Sequence, residues 1–201
     1  MIEKIRIIVK NKIAILPILG AVLIIISLFT PFAISMGLEG ISVSSQSNVW
    51  YWGFYEGQNQ ILLLNIPFML NILLPMTTFV CAILILILSI EFGLNEINRK
   101  LFGELLFIFI VLIYLSMTLT VKLIEYSFSL MPDLEPVLMT GAPFWHYRIA
   151  GFGPFGINIA IFLIIVGSLI SLLESRKSFF YIEITVIIIW IIILLALSPL
   201  I

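Results

Sequence analysis

From Ile61 to Ile90 the chain runs for 30 residues without a charged side chain. As one helix this stretch would measure about 45 Å at ~1.5 Å per residue, more than the ~30 Å hydrocarbon layer of a bilayer. The feature recurs along the sequence. A window of about 19 residues finds candidate spans at roughly 13–34, 68–90, 101–121, 156–173 and 181–201. Hydrophobic residues make up 62% of the 201 positions and charged residues 10%, against about 25% charged in an ordinary soluble domain. Mean hydropathy is +1.26. These features predict an all-α polytopic membrane protein: one membrane domain, a bundle of four to five transmembrane helices, and a small extracytoplasmic cap. The number of helices turns on the last run, where Glu183 leaves only 18 apolar residues.

Pro67 and Pro75 each lack the amide donor that a continuous helix needs, so they mark where the long 61–90 run should bend. Residues 61–67 then read as an entry segment at the interface, ahead of the span proper. Lys4, Arg6, Lys10 and Lys12 precede the first span. Its apolar stretch of about twenty residues exceeds the 7–15 of a cleaved signal core, which predicts an uncleaved anchor. With a cytoplasmic N-terminus, the inner segments hold Lys4, Arg6, Lys10, Lys12, Arg99, Lys100, Arg176 and Lys177, and the outer ones only Lys122 and Arg148. Eight against two is a strong positive-inside bias. The expected location is the cell membrane of a prokaryote, where outer loops are often held without cysteine pairing.

Charge and rare residues exclude several function classes. The net charge is −1 and no basic run with interleaved aromatics occurs, so nucleic acid is not an expected partner. A single cysteine, Cys81, and a single histidine, His146, rule out an intrachain disulfide and a two-histidine ligand set. No cofactor or metal is expected. Asn65, Asn71 and Asn158 fall toward the outer boundary, and near mid-membrane only Ser, Thr, Gly and Cys interrupt the apolar residues. Proton and ion pathways usually carry intramembrane charge, which disfavours a coupled transporter.

The two outer loops, 35–60 and 122–155, differ from the rest of the chain. Gly40-Ile41-Ser42-Val43-Ser44 alternates small polar with β-branched residues, Ser45-Gln46-Ser47-Asn48 supplies turn formers, and Val49 to Tyr55 is rich in aromatics. The pattern predicts a β-hairpin turning at 45–48. A period of two would put Trp50, Trp52 and Phe54 on one face, and Val49, Tyr51 and Tyr55 on the other. Phe144 to Ile149, including Trp145, His146, Tyr147 and Arg148, offers a third strand. In layout alone, an outer hairpin with Trp residues after the first span is similar to claudin-like tetraspan proteins. The paired loop cysteines and Gly-Leu-Trp signature of that family are missing here.

The candidate interaction surface is therefore Trp50, Tyr51, Trp52, Phe54, Tyr55, Trp145, His146, Tyr147 and Arg148. Such rings serve equally as an interfacial belt with internal packing, because Trp and Tyr pair an apolar body with a polar tip. The expected function is non-enzymatic: a structural or accessory subunit, or a self-associating scaffold, whose partners are the bilayer, other membrane subunits or itself. The alternative is an outer-leaflet lipid-acting enzyme or small-molecule transporter. His146 would be its base, Arg148 its phosphate-binding group, and Glu125, Asp133 or Glu135 would orient the imidazole. No nucleophile motif or metal-ligand spacing accompanies those residues.

Overall fold

A computed structural model describes residues 12–39, 42–57, 60–63, 68–94, 96–129 and 148–172. They form four helices and a small antiparallel sheet: α1 (Lys12–Leu28), β1 (Pro31–Glu39), β2 (Ser42–Trp50), β3 (Phe54–Gly57), β4 (Gln60–Leu63), α2 (Phe68–Gly93), α3 (Arg99–Ser129), β5 (Arg148–Ala150) and α4 (Phe152–Leu172). Helices α2, α3 and α4 are long and apolar enough to cross a membrane. The span expected at 181–201 lies outside the described residues.

The helices close into a ring in which α1 touches α2 and α4, and α3 touches the same two. Packing among such apolar helices relies on close backbone approach and polar bonds, since lipid competes for every apolar surface. Both devices are present. A methyl group on Gly20 would stand 2.6 Å from Ile164, and one on Gly167 would stand 2.7 Å from the Pro17 ring, so α1 and α4 meet where side chains are absent. Ser116 of α3 donates to the Leu74 carbonyl of neighbouring α2, and Ser168 of α4 to the Gly103 carbonyl of neighbouring α3 at 3.1 Å. Between the facing ends of α2 and α3, Phe92 and Phe102 stack with centroids 4.1 Å apart.

All-α was too narrow a class, because the cap is a sheet of five strands in the order β4-β3-β2-β1-β5. The first span also ends early. Its helix stops at Leu28, 17 residues long, and Pro31 to Ile34, expected inside the span, begin β1. Hydropathy cannot separate the two states here, since Phe29 to Ile34 is apolar enough for either. Proline settles it by lacking a donor and pushing the residue before it away from helical geometry. Residues 60–63, partly read as an interfacial entry segment, likewise form β4.

The hairpin is real but its turns are misplaced by sequence reasoning. Strands β1 and β2 pair out to Glu39 and Ser42, and Ser45 to Asn48 lie within β2, paired to Gly37 through Ile34. The aromatic run turns as well. Tyr51-Trp52-Gly53 forms the β2–β3 connection, closed by the Gly53 amide on the Trp50 carbonyl at 3.0 Å. Gly53 has φ +71°, the left-handed conformation that ends a three-residue hairpin loop. Val49 to Tyr55 is thus two strand ends around a turn: Val49 and Tyr55 share a face as expected, with Phe54 on the other, but Tyr51 and Trp52 lie in the turn, where strand alternation does not apply. The third strand expected at 144–149 is present at 148–150, pairing with β1.

Register divides the sheet into two faces. Ala33, Val49 and Tyr55 occupy successive paired positions and belong to, or pack against, the buried core. A register shift between Pro31 and Ala33 inserts Phe32 as an extra residue. Such a bulge breaks the alternation of faces, and Phe32 and Ala33 are both buried. The opposite face carries Asn48 and Glu56, joined by a 3.3 Å hydrogen bond.

Candidate functional site

The aromatic cluster splits into an inward and an outward group. Trp50 ends β2 half-buried. Tyr51 is 1% exposed, its ring edge-on to Phe32 with centroids 5.1 Å apart. The Trp52 indole N–H donates to the Leu28 carbonyl at 2.9 Å, and its ring lies 5.8 Å from Phe29, which meets Phe79 of α2 edge-on. Tyr55 packs half-buried against the core, while Phe54 is exposed. Arg148 pairs with Ser35 in the sheet. Trp145, His146 and Tyr147 lie outside the described residues, as do Asp133 and Glu135. Glu125 accepts a 2.8 Å hydrogen bond from Lys122 on α3.

The inward rings therefore fasten the sheet to the end of the bundle. Leu28 O is a terminal carbonyl of α1, one of those a helix cannot satisfy internally, and the Trp52 indole caps it. Trp52→Phe keeps an aromatic ring but removes the donor and the five-membered ring that carries it. It should lower stability by about 1–3 kcal/mol, the hydrogen bond plus lost packing, read as a lower melting temperature of the detergent-solubilised protein.

A second feature at this junction escaped the sequence reading. Gly151-Phe152-Gly153-Pro154-Phe155-Gly156 follows β5 and opens α4. The spacing is G-x-G-x-x-G between a strand and a helix, a pattern that can cradle phosphates. Here the bare faces of the glycines are filled by protein. A methyl group on Gly151 would fall 2.1 Å from the Pro31 carbonyl oxygen, one on Gly153 2.8 Å from the Tyr51 ring, and one on Gly156 2.1 Å from the Ser27 hydroxyl. The glycines let the start of α4 press against the end of α1, the start of β1 and the Tyr51 turn. A third contact fixes that turn from the other side, where a methyl on Gly53 would fall 1.9 Å from the Asn71 amide oxygen.

Electrostatically this junction is neutral. Burial drives the Tyr51 phenol well above its ordinary range, so it stays protonated. Among the described residues no group of three His, Cys, Asp or Glu side chains is placed to hold a metal ion. No family model, curated protein or solved structure matches this chain.

Proposed function

We propose that the chain is an integral membrane component without catalytic groups of its own, an accessory subunit or self-associating scaffold that meets its partner through the outward face of the sheet. One observation carries this reading. Phe54, Ile61 and Leu63 stand together on that face, Phe54 paired with Leu63, and are 40%, 72% and 58% exposed. Strand β4, at the sheet's edge, reads Gln60-Ile61-Leu62-Leu63, with none of the charges or prolines that usually blunt an exposed edge. The partner face is thus narrower than the whole aromatic cluster, because Tyr51 and Trp52 are engaged in the junction.

The membrane reading draws on three long apolar helices and on hydroxyls that return to backbone carbonyls, as Thr78 does to Leu74, Ser89 to Ile85 and Thr120 to Ser116. Such groups would otherwise face hydrocarbon unsatisfied. The positive-inside bias of the sequence supports an N-terminus in the cytoplasm and a sheet on the outer surface of the cell membrane of a prokaryote. The lipid-acting alternative turns on His146, which lies outside the described residues, and on Arg148, described by its strand pairing with Ser35.

Two linked measurements test the proposal. A cysteine at Phe54, in a Cys81→Ser background, should react with a membrane-impermeant thiol reagent in intact cells; reaction only after lysis would refute the orientation. Phe54→Ser with Ile61→Ser should then shift the mild-detergent complex to a smaller size, while an unchanged size would remove the partner role.

A further inference from the structure

One flank of the sheet ends on open backbone. In the order β4-β3-β2-β1-β5, strand β4 (Gln60–Leu63) is terminal, and among the described residues nothing pairs with its far side. Such a flank presents a row of amides and carbonyls that can take up another strand. Its side chains are as open as its backbone. Among the described residues, Met69 and Ile61, 81% and 72% exposed, are the most exposed large hydrophobics, and only residues 64–67 separate β4 from the start of α2, where Met69 lies. Apolar exposure is thus concentrated where the open edge leads into a long apolar helix, a pattern that marks contact surfaces.

Charge and symmetry restrict what can sit on this edge. In a two-fold pair the same patch faces itself, so a charge on the edge would meet a like charge, which destabilises paired strands. The opposite edge fails that condition, because β5 is Arg148-Ile149-Ala150. Strand β4, Gln60-Ile61-Leu62-Leu63, carries no charge and meets it. A foreign strand, by contrast, is selected by pockets for its side chains, whereas Ile61 and Leu63 project from the sheet, 72% and 58% exposed. Residues two apart share a face, so antiparallel pairing of two such edges sets Ile61 opposite Ile61 or Leu63 of the second copy. The exposed Phe54, paired with Leu63, extends the apolar contact on both sides.

We propose that a second copy of this chain docks on the open edge, its β4 adding antiparallel to the first so that the two sheets become one. The proposal rests on the partner role of the sheet given above, and it names both the partner and the strand that receives it. Residues opposite each other in paired strands have Cα atoms about 4.5–5.5 Å apart, within reach of a disulfide. Two differently tagged full-length chains in a Cys81→Ser background, one with Ile61→Cys and the other with Leu63→Cys, are therefore co-expressed and their membranes mildly oxidised. Both substitutions replace exposed side chains and leave the core intact. A reducible species at twice the 22.7 kDa of one chain is expected, with none from a cysteine at Ile108, exposed on α3. No link through 61 and 63, or an equal link at Ile108, overturns the self-pairing. The partner role itself is read separately, from the size of the Phe54→Ser with Ile61→Ser complex. If that complex shrinks while no link forms, the sheet keeps its partner role and the second copy is excluded; if neither change appears, both readings fall.

Discussion

Gly151→Ala should lower folding stability by about 3–4 kcal/mol, from overpacking at a rigid contact plus the loss of one hydrogen bond. The new methyl would sit 2.1 Å from the Pro31 carbonyl oxygen and 3.3 Å from that of Phe32. Both are backbone atoms and cannot rotate away as a side chain end would. Relief requires α4 to withdraw from β1, which breaks the 2.9 Å bond from the Gly151 amide to the Phe32 carbonyl. A domain of ordinary stability has about 5–15 kcal/mol in total, so the variant should melt far below the parent in the same detergent. By contrast, Gly103→Ala would meet only the flexible Leu172 side chain at 2.6 Å and should cost much less. Equal melting temperatures for the two glycine variants would disprove the rigid-contact account.

Tyr51→Ala is expected to cost about 3–5 kcal/mol, the usual range for deleting a large buried ring. The ring is 1% exposed, stands edge-on to Phe32 and fills the space that Gly153 leaves open. Its loss opens a void where three parts of the chain converge, and none is free to collapse into it. Limited proteolysis should therefore cut the β2–β3 turn in the variant under conditions that leave the parent intact. A turn as resistant as the parent's would mean that the ring does not anchor the sheet.

The long helices were legible because one signal suffices for each. A run such as Phe68 to Ile90 has no competing interpretation at that length, and the observed α2 begins at the same residue. Lys122 and Glu125 do not end α3; they pair on its exposed side as it continues to Ser129. The sheet was legible in kind but not in register. Ser45 to Asn48 have turn-like composition, yet their place in β2 follows from Val49 and Ala33 meeting on the buried face. Gly53 was the local clue to the true turn, hidden within a run of aromatics that favour strands. At the junction, Gly151, Gly153 and Gly156 were visible as residues. Their role was not, since nothing in a linear pattern says that Pro31, Tyr51 and Ser27 will arrive opposite them.

The pairing of β5 with β1 has a consequence for biosynthesis. Its partner strand follows α1 directly, whereas β5 emerges only after α2 and α3 have been made. Chains generally fold as they are synthesised, earlier parts first. The open flank of β1 must therefore wait, unpaired, while the ribosome delivers two more helices, and of the described elements only α4 is made after the strand that closes the cap. Truncation before Arg148 would leave a nascent product with the sticky flank of β1 uncovered, a natural target for quality-control proteases.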